Sequence, residues 1–463
     1  MKEINIVFDG ILYQNKQKIP VKITYGSKNS LLVVLLTNQT VKDNTEFEAF
    51  SFTLENKEFK FGRCKIILEH IAPNFSGRLF FLEDVYDFYS IFSMKKTSNL
   101  ETYFQSMPLI LGLKNKIKDS FRKYTSNLTY DLRVYRKYFD ELDKIYEKEP
   151  PAIYKETQNI IIEKEGRKFF NFFDEKLEEL KSITSEFTLE EHETHAYYFR
   201  RQVWDIIISS SFLTRTNVKP RGYAGDSEMM SMIYENSYEG ESIFSKLMHK
   251  HPIETKSAKA VRNRKTMIPV IIARARKNFE QLKDKFNILS VACGPTKELE
   301  NILISPLHCE DYHFTLLDQD QEALNEAENS IKEIENRFNS KIHYKLITDS
   351  VRTMLREKDL QKKIGTFHFI YSMGLFDYLS TRVAQAILEK LYSLLKPGGW
   401  MIIGNYHEKN STKIYMDYWG DWVLYYRSEE ELKKLADNIE ANFKAVVFED
   451  TKCQMFLVIE KPV

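Results

Sequence analysis

From Arg276 to Val463 short apolar runs alternate with charged, amphipathic stretches. That alternation permits few folds: it is the pattern of a doubly wound, mostly parallel sheet with helices on both faces. Asn287 to Leu299 reads NILSVACGPTKEL, an apolar strand running into Cys293-Gly294-Pro295 and then a helix. The second strand, Phe314 to Leu317, ends in Asp318, and the third, Ile342 to Ile347, leads to Asp349-Ser350. A fourth ends at Tyr371-Ser372-Met373, and a fifth follows the Lys396-Pro397-Gly398-Gly399 turn. Ala445–Phe448 and Met455–Glu460, separated by a short polar turn, predict an antiparallel hairpin at the sheet edge.

In an open α/β sheet a ligand lies beyond the carboxyl ends of the strands, where the first loop turns into a helix. Gly294 marks where the backbone passes close to that ligand, with small Ala292 and Cys293 before it. Cys293 reads as a small buried residue rather than a nucleophile. Asp318, with Gln319 beside it, is placed to accept hydrogen bonds from two ribose hydroxyls. Asp349 is suited to an exocyclic adenine amine, next to the Ser350 and Val351 backbone, and Tyr371, Ser372 and Met373 form the remaining wall. A dinucleotide requires G-x-G-x-x-G, but Pro295 and Thr296 follow Gly294, and Glu298 stands where a pyrophosphate would be repelled. A cationic sulfonium cofactor carries no phosphate and meets no such conflict.

These segments together resemble the class I S-adenosylmethionine-dependent methyltransferases. VACGPTKE, LLDQD, TDS and IYSMGLFDYLS are similar to their first four motifs, followed by LKPGGWMIIGN with Asn405. The chain departs at Ser290 and Ala292, where that family has an acid and a glycine. The resemblance implies S-adenosylmethionine as cofactor. It places Ala292, Cys293, Gly294, Pro295, Glu298, Asp318, Gln319, Asp349, Ser350, Val351, Tyr371, Ser372 and Met373 around it. The run after the fourth strand is not the (Asp/Asn)-Pro-Pro-(Tyr/Phe) of base-amine methyltransferases.

Upstream, Lys219-Pro220-Arg221-Gly222-Tyr223-Ala224-Gly225-Asp226 with Glu228-Met229-Met230, and Gly374 to Leu379, resemble bacterial 3-hydroxypalmitic acid methyl ester synthases, which are quorum-signal enzymes. That resemblance implies a fatty-acid carboxylate as methyl acceptor. A carboxylate is already ionised at neutral pH, so its methylation requires alignment and exclusion of water rather than a strong base. Arg221 or Tyr223 would hold it, with His192 and His195 facing one side of a helix, and Asp226, Asp377 and Asn405 near the substrate. The plainer reading pairs Arg221 with Asp226 in a structured loop. It gives His192 and His195 a structural role, since HETH is not HExxH, and no metal is expected. Arg264 is placed either at the cofactor carboxylate or on a solvated helix face. The aromatic run Tyr415 to Tyr426 is either packed cover or substrate wall.

Before this domain the chain reads as two further parts, residues 1–97 and 98–275, with the sheet domain at 276–463. The first carries short period-2 strands such as Ile4–Phe8, Val21–Thr24, Leu31–Leu36, Phe50–Leu54 and Phe59–Phe61, with a turn at Asn56-Lys57. Arg63–Leu68 and Gly77–Leu82 add more, which predicts a small β-barrel. It resembles a PilZ-type barrel, matched only at Asn74 and Ser76, with Leu79 where glycine is expected. That resemblance implies a nucleotide or protein ligand. The second part has helical periodicity over Ile117–Tyr146, a break at Pro150-Pro151, a further helix from Ala152 to Leu180, and a capping box at Thr188–Glu191 opening a helix to about Ser209.

At 463 residues several domains are expected, and 43% hydrophobic and 29% charged residues are ordinary globular values. A formal charge of +1 with no basic block argues against nucleic acid as partner. The runs Arg262–Lys265 and Arg274–Lys277 read as helix surface. Four widely spaced cysteines fit reduced thiols rather than a metal site. The start has no signal-like segment and no run long enough to span a bilayer, so a cytoplasmic protein is expected. Two rival functions remain open: methylation of another small molecule or a protein side chain, and a non-catalytic signalling role using the N-terminal domain.

Overall fold

The computed structural model describes residues 4–15, 17–26, 30–36, 41–42, 45–54, 57–70, 76–82, 112, 114–281 and 284–463. The expected turn residue Asn56, the motif position Asn74 and the boundary near residue 97 lie outside the described residues. The chain divides into two compact units. The first comprises residues 1–129, 182–202 and 218–223, and the second residues 130–181, 203–217 and 224–463.

The first unit is built on β1 (Ile4–Gln14), β2 (Gln17–Gly26), β3 (Ser30–Leu35), β4 (Glu46–Phe47), β5 (Ala49–Leu54), β6 (Lys57–Phe61), β7 (Cys64–His70) and β8 (Ser76–Phe81). They form one antiparallel sheet in the order β4-β7-β8-β3-β2-β1-β5-β6. Alternation puts Leu12, Val21, Ile23, Val33, Phe50 and Phe52 on a buried face. The strands match the sequence expectation, apart from the two-residue β4. The barrel expected from them is not what the ladder shows: among the described residues no pairing joins β4 to β6, and the sheet is open there. In the same unit the helix Leu189–Gln202 begins with the expected capping box. Thr188 N–H donates to Glu191 (2.8 Å), and Glu191 N–H donates to Thr188 Oγ1 (3.2 Å). It stops at Gln202 rather than Ser209, and a separate turn, Trp204–Ile207, follows.

The long helices Asp119–Tyr146 and Pro151–Thr184 flank the diproline, with Pro151 as the first residue of the second. Proline is tolerated there because the first helical amides have no intrahelical partner. The second unit's core is a seven-stranded sheet of β9 (Phe286–Val291), β10 (Tyr312–Asp318), β11 (His343–Thr348), β12 (Phe367–Ser372), β13 (Leu395–Tyr406), β14 (Phe443–Phe448) and β15 (Gln454–Glu460). Its order is β11-β10-β9-β12-β13-β15-β14. β9 to β13 run parallel, while β15 pairs antiparallel with both β13 and β14. This is the expected doubly wound, mostly parallel sheet with an edge hairpin.

Every residue of β12 is buried, and β9 and β10 nearly so, as covering a parallel sheet on both faces requires. The chain leaves β9 toward β10 and β11, then returns to place β12 on β9's other side. That reversal opens a crevice at the carboxyl ends of β9 and β12, where α/β sheets bind ligands. No described helix is long and apolar enough to cross a membrane.

Candidate functional site

The turn after β9 carries three left-handed residues, Ala292 (φ 51°), Gly294 (φ 57°) and Thr296 (φ 50°). Only the glycine adopts that conformation without strain, and a β-branched threonine there is an outlier. Strain of this kind persists where the surrounding structure holds it, and Ser330 Oγ does so from the helix Gln321–Phe338 by donating to the Pro295 carbonyl (3.2 Å). A Cβ added to Gly294 would meet nothing within 4 Å. The turn therefore presents bare backbone to open space above the strands.

Asp318 ties the ends of three strands together. One carboxylate oxygen accepts from Gly294 N–H (3.0 Å), the other from Asp320 N–H (3.0 Å), and the Asp318 carbonyl accepts from Asp349 N–H (3.0 Å). Burial pushes its carboxyl upward, and the amide donors oppose that push. Asp349 accepts from Ser350 N–H (2.8 Å) and Lys363 Nζ (2.9 Å). Burial raises the Asp349 carboxyl, but Lys363 and the local donors outweigh it and leave it low. Ser350 caps the turn beginning at the half-buried Val351, and Gln319 is exposed beside Asp318. On the β12 side, Ser372 Oγ donates to the Val291 carbonyl (2.9 Å).

Two expectations are corrected here. The helix after Gly294 is a single turn, Leu299–Ile302, and although Glu298 is its N-cap residue, the side chain makes no capping bond there. Its buried carboxylate accepts from the Tyr371 hydroxyl (2.7 Å). Burial raises that carboxyl, against opposition from Tyr371, Arg264 and Lys265. Cys293 is buried and its thiol is pushed well up by burial and by Asp318 and Glu298, so it is no nucleophile.

Of the two basic runs on the helix Lys256–Lys277, Arg274 and Lys277 are exposed as expected, but Arg262–Lys265 is partly buried. Arg262 donates to the carbonyls of Ile253 (2.6 Å) and Ile233 (3.2 Å), and Lys265 pairs with Glu300 (2.8 Å). Arg264 is half-buried and turns inward. Nη1 donates to the Met373 carbonyl (3.2 Å), and Nε approaches the Tyr234 hydroxyl (3.4 Å). Gln454 Nε2 also donates to the Met373 carbonyl (2.8 Å). A guanidinium thus stands at the carboxyl end of β12. Its helical period alone gave no sign of that.

Beyond β12, Asp377 and Asn405 brace the wall of the crevice. Asp377 Oδ1 accepts from Tyr406 N–H (2.6 Å), and its carbonyl accepts from Tyr425 N–H (2.7 Å). Asn405 donates to the Tyr406 and Tyr425 carbonyls (2.9 Å each) and accepts from Arg427. The amide is committed to holding the 421–427 segment in place.

Burial raises the Asp377 carboxyl from its usual 3.8 to about 7. Its ionisation costs more in the folded protein than in the unfolded chain. Its contribution to stability is therefore complete below pH 4 and is lost as pH rises through about 7. The slope is on the order of 1.4 kcal/mol per pH unit in that window. Asp377→Asn should remove this slope in urea titrations from pH 4 to 8, and parallel pH curves for variant and wild type would contradict it.

Asp226 caps the helix Ser227–Glu235, accepting from Met229 N–H (3.0 Å). Its ionic partner within the second unit is Arg215, whose Nε lies 2.9 Å from both carboxylate oxygens. Gly225 lies against the crevice wall. A Cβ there would fall 2.6 Å from Trp422 Cζ2 and 2.6 Å from the Tyr378 hydroxyl. Gly225→Ala should cost roughly 1–3 kcal/mol by urea unfolding, the usual effect of overpacking. An unchanged midpoint would mean the loop yields freely.

Arg221, Tyr223, His192 and His195 belong to the first unit. His195 is spent on structure: Lys118 N–H donates to Nε2 (3.0 Å), so the ring proton sits on Nδ1 and is donated to the Glu191 carbonyl (2.7 Å). Burial lowers its pKa and keeps it neutral. Among the described residues no group of His, Cys, Asp or Glu is arranged to hold a metal ion.

Next to the crevice, the second unit contains a cleft of about 410 Å³, part of it open to solvent. Its walls include Phe212, Leu213, Ile233, Tyr415, Met416 and Trp422. Tyr415, Tyr418 and Trp419 are buried, so the aromatic run is both packed cover and wall. Sequence reasoning offered the Tyr415 to Tyr426 run as a wall but could not give the rest of the cleft, because its residues come from five separated segments.

No family model matches the sequence, and no curated protein is similar to it. Many solved structures align with part of it, and three of them illustrate the likeness. One is a protein of Bordetella parapertussis described as a possible exported protein (12% identity, 51% of this chain and 80% of that one, TM-score 0.39). Another is magnesium protoporphyrin IX methyltransferase from Synechocystis with bound S-adenosylhomocysteine (11%, 51% and 95%, TM-score 0.36). The third is the N-methyltransferase NodS from Bradyrhizobium japonicum in complex with S-adenosylhomocysteine (14%, 41% and 87%, TM-score 0.28). All three likenesses are distant.

Proposed function

We propose that this chain is an S-adenosylmethionine-dependent methyltransferase acting on an oxygen, the carboxylate of a small acyl molecule. The observation that carries the cofactor reading is the pairing of the open Gly294 turn with the Asp318 carboxylate at the sheet's reversal point. When bound, S-adenosylmethionine supplies an electrophilic methyl group on a sulfonium. Asp318, held from both sides by amides, would accept from ribose hydroxyls. Asp349 and the Ser350–Val351 backbone would take the adenine edge, and the inward guanidinium of Arg264 suits the methionyl carboxylate. The bare Gly294 backbone leaves room for the cofactor's chain. Glu298 and Tyr371, bonded to each other, form the wall behind the turn.

The acceptor reading rests on the Lys219–Asp226 and Gly374–Leu379 motifs, and the apolar cleft beside the crevice supports it. Because a carboxylate arrives ionised, the chain's contribution is to hold it, orient it and keep water out. Arg221 and Tyr223 are further candidates for holding it. Titration calorimetry with S-adenosylmethionine and S-adenosylhomocysteine tests the cofactor reading, and absence of binding to the folded protein would overturn it. Labelled methyl donor incubated with lipid and protein extracts tests the acceptor: label is expected in the organic phase, and label retained on protein would redirect the reading to a side chain.

A further inference from the structure

We infer that Arg264 and Glu298 form a two-point site for an amino acid zwitterion, the methionyl end of the cofactor, with its carboxylate on Arg264 and its ammonium on Glu298. This rests on the cofactor reading and deepens it. It adds a counter-ion for the ammonium and the selectivity that two opposite charges impose.

Both charges are carried to the same end of β12. Glu298 Oε1 accepts from the hydroxyl of Tyr371 in that strand (2.7 Å), and Arg264 Nη1 donates to the carbonyl of Met373 just past it (3.2 Å). Among the described residues neither has a counter-ion in contact. The other partners of Arg264 are the Tyr234 hydroxyl (3.4 Å) and Met230 Sδ (3.4 Å), both neutral. Glu298 is 7% exposed, and its donors are the Tyr371 hydroxyl and its own backbone amide. Tyr371 thus fixes the carboxylate in place without neutralising it. The neighbouring cation, Lys265, is committed to Glu300 (2.8 Å).

A buried charge ordinarily has an opposite charge against it, because desolvation otherwise drives it to its neutral form. Burial raises the Glu298 carboxyl, and Arg264 and Lys265 draw it back from a distance, without an ion pair to it. Two opposite charges that feel each other but do not touch suit a ligand that carries both. An amino acid head is such a ligand at neutral pH, and its two groups would complete both pairs at once. The backbone leaves room beside them. A Cβ at Gly294, in the turn that leads to Glu298, would meet nothing within 4 Å, and one at Gly374 would meet Arg264 Nη1 alone, at 3.6 Å.

Calorimetry on the full chain compares three ligands: S-adenosylhomocysteine, its analogue without the amino group and its analogue without the carboxylate. For wild type each deletion should weaken binding roughly tenfold to a hundredfold, the loss of a charge-assisted hydrogen bond. Glu298→Gln keeps an oxygen for Tyr371 and removes the charge. It should weaken S-adenosylhomocysteine by that factor and hold the analogue without the amino group within about threefold of its wild-type affinity. Arg264→Gln should show the mirror pattern, with the analogue lacking the carboxylate spared. A residue that only shapes the turn would weaken all three ligands alike.

If Glu298→Gln does not fold, Glu298→Asp, which keeps the charge but withdraws it by one methylene, decides on the same selectivity. A uniform loss across the three ligands in these variants overturns the assignment. Wild type that binds S-adenosylhomocysteine and both analogues equally overturns it and leaves the cofactor reading intact. Failure to bind S-adenosylhomocysteine removes the cofactor reading itself, and this inference with it.

Discussion

Asp318→Ala is expected to weaken S-adenosylhomocysteine binding at least a hundredfold. Each hydrogen bond from a ribose hydroxyl to a carboxylate contributes about 1.5–3 kcal/mol, and two are lost together. The substitution also strips the Gly294 and Asp320 amides of their acceptor, each bonded at 3.0 Å. The Gly294 turn then loses the contact that sets its height above β10. Asp318→Asn is the sharper comparison, because its amide nitrogen would face one of those two N–H donors. It should fall between wild type and alanine. Calorimetry measures both, and an affinity within threefold of wild type for Asp318→Ala would move the cofactor's ribose away from β10.

The second large effect is expected at Arg215. Its side chain is 16% exposed and lies against Asp226, whose side chain is fully buried. Truncating one member of a buried ion pair leaves the other without compensation, at a cost of about 3–5 kcal/mol. Arg215→Ala should therefore lower the urea midpoint markedly and loosen the start of the helix Ser227–Glu235, which Asp226 also caps. Replacing both partners, as in Arg215→Met with Asp226→Asn, should recover much of the loss, since the neutral side chain keeps the cap and the charge left behind, Glu228, is half exposed to solvent. A single variant as stable as wild type would show that Asp226 is compensated by other means.

The two predictions differ in how much of them the sequence contained. Asp318 was legible because a parallel strand buried on both faces reads as an apolar run, and an acid ending such a run is conspicuous. The same local logic gave the strand series, the edge hairpin, the Thr188 capping box and the break before Pro151. Arg215 was not legible. Its partner sits 11 residues away across a loop, and nothing in the spacing favours it over Arg221, only 5 residues from Asp226. Arg264 was legible only as one of two alternatives, since helical period says which residues share a face but not what that face meets.

The amino-acid sequence by itself determined the sheet domain, the succession of its strands along the chain and the acid that ends the second of them, because those depend on periodicity and on what terminates each run. Tertiary structure alone decided the rest. Among the described residues it left the N-terminal sheet open between β4 and β6, turned Arg264 inward to Met373, committed Asn405 to the 421–427 segment and assembled the apolar cleft from distant segments. Each of these depends on contacts between elements far apart in the chain, where burial and donor–acceptor matching choose the partner.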